Sequence, residues 1–138
     1  MTRGLRNNNP GNIRLSATPW QGEIRPSQDS SFCQFTSMGH GYRALLKLLR
    51  NYGRLHGCRT VADFISRWAP PHENNTSAYI SRVCSTMHVP ATYQPDTDDH
   101  DTLCALAAAI SLVENGTPAL MADVEAGWAL LKEKRRKI

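Results

Sequence analysis

A glutamate closes the most apolar helical segment of this 138-residue sequence. The segment from about Asp101 to Glu114 carries apolar residues at helical spacing, which predicts a buried helix. Continuing its inward face past Ile110 leads to Val113 or Glu114. Partial burial disfavours the charged form of a carboxyl group, and so does the negative end of the helix dipole. At that position Glu114 would keep a proton available, as a general acid must when it protonates the leaving oxygen of a sugar. The alternative is a glutamate at a frayed helix end that points into water.

Other side chains suited to a saccharide are spread over the first 73 residues. Trp20 and Trp68 offer flat faces for pyranose rings, although tryptophan equally serves as a core anchor. Asn12 ends an asparagine-rich loop over residues 7–12, which either contacts acetamido groups or, as we favour, holds its own backbone in place. Glu73 lies in a proline-rich loop and either binds substrate or caps the next helix.

The cysteines and histidines do not indicate a metal site. The four cysteines include no Cys-x-x-Cys pair, which excludes the common zinc-finger spacings. No two of the five histidines stand at positions i and i+4. Two disulfides are possible, but no spacing argues for them, and Cys84 and Cys104 are expected to be buried thiols. The sequence therefore predicts neither a metal nor a cofactor.

Composition describes an ordinary globular protein with one domain over residues 1–138. No apolar run approaches the roughly 20 residues of a membrane span, and no apolar core follows the basic start as in a signal peptide. Action on the wall outside the cytoplasm would then depend on lysis, a virion or a secretion machine. The net charge of +4, partly in the tail over residues 132–137, favours an anionic polymer such as nucleic acid, membrane surface or bacterial wall.

Two regions of the chain must position these residues. Turn formers and short extended pieces over residues 10–36 predict a small β-hairpin lobe. Helical periodicity predicts a body over residues 37–135. Its helices are expected from a Ser37 cap over about Met38 to Leu55, from a Thr60 cap over about 61–69, from a Thr76 cap to about Met87, from Asp101 to Glu114, and from Leu120 to Lys134. Asn115-Gly116 is expected to end the fourth of these helices with a left-handed cap. The predicted fold class is therefore α+β, predominantly α.

Several motifs resemble enzymes that cleave the bacterial wall. Val113-Glu114-Asn115-Gly116, at the end of an apolar helix, resembles the Glu-Ser-Gly signature of lytic transglycosylases and related glucosaminidases. Four further motifs resemble the segment that comes after the catalytic glutamate in flagellar and autolysin-type glucosaminidases. They are Asn12-Ile13-Arg14, Trp20-x-Gly22, Phe32-x-x-Phe35-x-Ser37 and Tyr42-x-x-Leu45-Leu46-x-Leu48. Because the glutamate here comes after these motifs and not before them, the resemblance implies a circularly permuted lysozyme-like domain.

The resemblance also implies roles for individual residues. It places a cleft between the hairpin lobe and the helical body, with Glu114 as the catalytic acid. Glu23 and Asp29 lie in the lobe, where either can orient water or stabilise an oxocarbenium-like transition state. The alternative makes Glu23 an exposed strand residue and Asp29 a turn former. Tyr79, otherwise a core aromatic, becomes a cleft residue that touches the sugar.

Three functional hypotheses follow. Residues 6–14 and 68–74 also resemble small phage and prophage proteins with structural or lysis-related roles. The leading hypothesis is a monomeric glycosidase or lytic transglycosylase acting on peptidoglycan. The alternative is a virion or wall-binding component without catalysis. Nucleic-acid binding through a helix-turn-helix fits poorly, because no helix carries Arg, Asn and Gln clustered in its first turns.

Overall fold

The regular elements of the described residues are all helices. The computed structural model describes residues 1–133, with α1 (Arg3–Arg6), α2 (Met38–Leu55), α3 (Val61–Trp68), α4 (Thr76–Met87), α5 (His100–Asn115) and α6 (Met121–Lys132). The predicted bounds of α2 to α5 are confirmed to within a residue or so, whereas α1 was not predicted. The predicted end of the last helix at Lys134, and the basic tail beyond Glu133, lie outside the described residues. None of the helices described is both long and apolar enough to cross a bilayer.

The predicted α+β class is wrong, because the region over residues 10–36 forms no β-hairpin lobe. Among the described residues this region has two isolated antiparallel bridges, which join Arg14 to Phe32 and Glu23 to Phe35, and no strand. Over residues 1–133 the regular structure is therefore entirely helical, with a long irregular segment between α1 and α2.

Turn-forming side chains limit strand pairing in this segment. Asn12 has a left-handed φ of 50°, which interrupts extended backbone just before Ile13. On the opposite side, Asp29 Oδ1 accepts hydrogen bonds from the backbone N–H groups of Ser31 and Phe32 at 2.9 and 3.1 Å. Bonds between side chain and backbone of this kind compete with a sheet ladder. The residues that predict turns thus leave too little extended chain for a hairpin.

The asparagine-rich loop fastens the N-terminal segment to α2. Asn9 is fully buried, and its amide donates to the carbonyl oxygens of Ile13 and Cys33 at 3.0 and 2.9 Å. Its Oδ1 accepts from the backbone N–H of Ile13 at 2.9 Å. A side chain at Gly41 on α2 would collide with the carbonyl oxygen of Asn8, so the loop lies directly on the helix backbone. These bonds give the loop the structural role that we favour, and contact of the loop with acetamido groups stays a prediction.

Five amphipathic helices bury the faces that their periodicity predicts. The main core includes the following residues at helical spacing: Tyr42, Leu45, Leu46, Leu49, Val61, Phe64, Ile65, Tyr79, Val83, Leu103, Leu106, Ala107, Ile110, Val124 and Leu131. Helices α2 and α6 approach closely because Gly127 has no side chain: a β-carbon there would lie 2.6 Å from that of Tyr42. Cys104 is buried and Cys84 half-buried, both as free thiols.

Polar caps define where the helices begin. The predicted caps Ser37 and Thr60 are confirmed, since their hydroxyls accept from the backbone N–H groups of His40 and Asp63. The predicted cap Thr76 is wrong by one residue. Asn75 caps α4, and the Thr76 hydroxyl instead donates to the carbonyl oxygen of Ala69 at 2.6 Å, closing the loop between α3 and α4.

A histidine joins the start of α5 to α6. The His100 ring nitrogens lie 2.7 Å from the Asp101 carboxylate and 2.8 Å from that of Glu125. Hydrogen bonds to Glu125 and Asp101 raise the pKa of His100 above its ordinary 6.5. Because the folded pKa exceeds the unfolded one, this contribution to stability is complete below about pH 6.5 and is lost as pH rises through the folded pKa.

We expect His100→Gln to cost more free energy of unfolding near about pH 5 than near about pH 9, because only the protonated ring bridges both carboxylates. Denaturant unfolding at both pH values measures the difference. His72→Gln, at an exposed loop position, is the matched control and should show no such difference. A cost for His100→Gln that is the same at both pH values would contradict the bridge.

Candidate functional site

Glu114 lies in the last turn of α5, on the wall of a cleft of about 390 Å³. It is half-buried, and each carboxylate oxygen accepts one hydrogen bond. Oε1 accepts from the Asn12 amide at 2.9 Å, and Oε2 accepts from the Tyr79 hydroxyl at 2.7 Å. Glu114 is therefore held at both oxygens beside a cleft, and does not point freely into water.

Tyr79 connects this carboxylate to two further helices. It belongs to α4, and its hydroxyl accepts a hydrogen bond from Trp68 Nε1, at the end of α3, at 3.1 Å. Burial and the neighbouring Glu114 carboxylate raise the pKa of Tyr79 far above its ordinary value. The hydroxyl thus keeps its proton and remains a donor to Glu114. Three helices and the N-terminal loop meet at one carboxylate.

The residue after Glu114 fixes the end of α5 to the start of the chain. Asn115 is buried, and its amide donates to the carbonyl oxygen of Pro10 at 2.9 Å. Its Oδ1 accepts from the Thr2 hydroxyl at 2.8 Å, which also ties down α1. Gly116, with a left-handed φ of 68°, ends the helix as predicted. This attachment holds the loop that presents Asn12 against the helix end that presents Glu114.

The cleft wall combines charged, amide and aromatic groups. Besides Glu114 it contains Gly11, Asn12, Ile13, Arg14, Phe32, Leu48, Tyr52, Arg67, Trp68, Ala69, Pro70, Glu73 and Asn74. The Arg14 guanidinium lies 5.2 Å from the centroid of the Phe32 ring, and that of Arg67 lies 5.2 Å from the centroid of the Tyr52 ring. Such a mixture of flat apolar faces and polar groups is typical of a site for a polar ligand.

Five of the residues considered for the site come together here. Glu114, Asn12, Trp68 and Glu73 line the cleft, and Tyr79 is buried in a hydrogen bond with Glu114. Glu73 is exposed, and its carboxylate lies 4.0 Å from Arg14 Nη2. It does not cap α4, because Asn75 does.

The other predicted carboxylates lie away from the cleft wall. The Glu23 side chain is fully buried, accepts from the backbone N–H of Trp20 at 3.0 Å and pairs with Arg25 at 2.9 Å. It is therefore not the exposed strand residue of the alternative interpretation. Trp20 lines a separate pocket of about 480 Å³.

Asp29 forms the turn that its alternative role predicts. The backbone N–H of Ser31 is the largest factor that lowers the pKa of Asp29, and the Asn7 amide contributes as well. Its other oxygen pairs with Arg3 at 3.2 Å. These bonds hold the N-terminal segment together and leave Asp29 outside the residues that line the cleft.

Two residues of the site lack a distinctive signal in the sequence. Asn115 is identifiable only as part of a helix stop, since its partners Thr2 and Pro10 are more than 100 residues away along the chain. Arg67 lies on the polar face of a short helix, where a charged residue is usually solvated. Only the tertiary arrangement brings Arg67 to the same cleft as Glu114.

The described residues define a small helical protein whose polar cleft is built around one carboxylate. The chain is 34% identical over 130 residues to Protein P5 of Pseudoalteromonas phage PM2, an alignment that covers 91% of this chain and 79% of that protein. The chain therefore belongs to the family of this phage protein. No protein-family profile matches it. The predicted relation to phage proteins is confirmed at this level.

We expect Tyr79→Phe to lower the free energy of unfolding by about 1–3 kcal/mol, because Trp68 loses its acceptor and Glu114 loses a donor. In a Glu114→Gln background the same change should cost less, giving a coupling energy of about 0.5–2 kcal/mol. Denaturant unfolding of the four proteins measures the cycle. Tyr93→Phe, which does not touch the cleft, is the control. Strictly additive costs would contradict a direct bond between the two side chains.

Proposed function

We propose that this protein cleaves the glycan strands of bacterial peptidoglycan, as a muramidase, glucosaminidase or lytic transglycosylase, with Glu114 as general acid. The observation that carries the proposal is a half-buried carboxyl group at the end of a helix, held at both oxygens and open to a cleft. Membership of a phage protein family supports it, because a phage must pass the host wall at entry and at release.

In the proposed reaction the Glu114 carboxyl donates its proton to the glycosidic oxygen as the bond to the anomeric carbon breaks. Positive charge develops on the sugar, and a carboxylate forms at Glu114. The Asn12 amide and the Tyr79 hydroxyl already point at the two oxygens, so they stabilise this charge as it appears. Glu114 then removes a proton from the group that attacks the sugar.

That attacking group decides between hydrolysis and transglycosylation. Water gives a reducing sugar end, whereas a hydroxyl of the same sugar gives an anhydro end. Glu73 is the second carboxylate on the cleft wall. In hydrolysis we propose that it orients the attacking water, whereas intramolecular attack does not require it. Mass spectrometry of the soluble products distinguishes the two outcomes and identifies the bond that is cut.

We expect Glu114→Gln to reduce the release of soluble fragments from purified sacculi by about 10²-fold or more, since the general acid is removed. The fold should survive, because a glutamine can still accept from Asn12 and can donate to the Tyr79 hydroxyl. The matched control is Glu125→Gln on α6, away from the cleft, which should retain activity. Undiminished release by a folded Glu114→Gln protein would remove Glu114 from the reaction.

The second candidate is a virion or wall-binding component without catalysis. One observation favours it: the bonds of Glu114 also join the N-terminal loop to α4 and α5, so this residue has a structural use of its own. This alternative predicts that the protein sediments with sacculi and releases no fragments. The proposed enzyme releases fragments under the same conditions.

A further inference from the structure

We infer that the cleft selects glycan strands that carry carboxylates, and that Arg67, assisted by Arg14, is the residue that recognises them. The inference rests on the proposed function, since it concerns which polymer enters the cleft beside Glu114. Its ligand is the carboxylate-bearing glycan of the wall, as opposed to a neutral polymer of N-acetylated sugars.

Arg67 is a cation on the cleft wall whose guanidinium has no carboxylate partner within residues 1–133. Asp63, one helical turn earlier, is the nearest candidate by helical spacing. The side chain of Asp63 is occupied by the capping box of α3, where it accepts from the backbone N–H groups of Arg59 and Thr60 at 3.0 Å. The charge of Arg67 is therefore left available to a ligand.

An aromatic contact also pre-organises the Arg67 guanidinium for ligand binding. The guanidinium lies 5.2 Å from the centroid of the Tyr52 ring, and both residues line the cleft. Stacking on an aromatic face uses the π surface of a guanidinium and leaves the N–H donors at its edge free. Those donors match the two oxygens of a carboxylate in a bidentate geometry.

Arg14 also lies over an aromatic ring on the cleft wall: its guanidinium is 5.2 Å from the centroid of the Phe32 ring. Its contact with Glu73 is long, at 4.0 Å, and its side chain is 63% exposed. A single distant carboxylate leaves most of its donors unused. Arg14 is therefore the assisting cation, and Arg67 the main one.

Charge balance gives the reason for two cations at this place. Glu73 lines the same cleft, and its negative charge would repel an anionic strand. Arg14 and Arg67 offset that repulsion. Wall glycan offers carboxylates from two sources. One is the lactyl group of a muramic acid without a peptide, and the other is the stem peptide, whose amide bond to the lactyl group removes that group's own carboxylate. Chitin oligosaccharides have the same acetamido groups and no carboxylate.

Binding to the Glu114→Gln protein tests the inference without consuming the ligand. Three tetrasaccharides are compared by calorimetric titration: one with stem peptides, one with lactyl groups alone, and neutral chitotetraose. We expect the carboxylate-bearing ligands to bind more tightly than chitotetraose. Adding Arg67→Gln should reduce the ratio of their Kd values about tenfold, because charge-assisted hydrogen bonds are lost. Adding Arg59→Gln instead, an equal charge change at an exposed site off the cleft, should leave the ratio unchanged.

The two possible carboxylate sources give different results. A loss confined to the peptide-bearing ligand assigns Arg67 to the stem carboxylates, and a loss confined to the ligand without peptides assigns it to the free lactyl carboxylate. A loss with both ligands shows that Arg67 binds either carboxylate. The inference is overturned if all three ligands bind equally, or if Arg67→Gln leaves the ratio of Kd values unchanged in a folded protein. In either case the protein still binds glycan, so the proposed function stands. Failure to bind any of the three, with no cleavage of sacculi by the unmodified protein, overturns both.

Discussion

The double hydrogen bond at Glu114 is the interaction on which the site depends. Water solvates a half-buried carboxylate only in part, and the negative end of a helix dipole disfavours its charge. Asn12 and Tyr79 supply the stabilisation that its position lacks. Because one donor comes from the N-terminal loop and the other from α4, their bonds bring distant parts of the chain to the end of α5. The cleft lies along that junction.

The acidic residues of the protein serve two separate purposes. Glu23 and Asp29 are saturated by backbone N–H groups and arginines, so they stabilise an N-terminal segment that has no sheet to hold it. Glu114 and Glu73 lie on the cleft wall and remain available to a ligand. The distinction depends on whether the neighbouring donors come from the local turn or from across the fold. The proposed chemistry therefore uses Glu114 without a second carboxylate from the N-terminal segment, which contributes the Asn12 amide instead.

The helices and the position of Glu114 are predictable from the sequence because their signals are local and periodic. The stripe through α5 leads to Glu114 at the correct helix end, and Ser37 and Thr60 begin α2 and α3 as predicted. The prediction of a β-hairpin was wrong because turn and strand propensities compete over residues 10–36. Buried hydrogen bonds such as those of Asn9 decide which conformation the segment adopts. The Thr2 hydroxyl that caps the short α1 also donates to Asn115, and no local pattern reports such a distant contact.

The most direct test of the central claim is a crystal structure of the Glu114→Gln protein with a peptidoglycan tetrasaccharide. We predict that the strand lies in the cleft beside Trp68, with a glycosidic oxygen within hydrogen-bond distance of the side chain at position 114, which itself remains bonded to Asn12 and Tyr79. A strand bound instead in the pocket beside Trp20, or anywhere that leaves position 114 out of reach of a glycosidic bond, would contradict it.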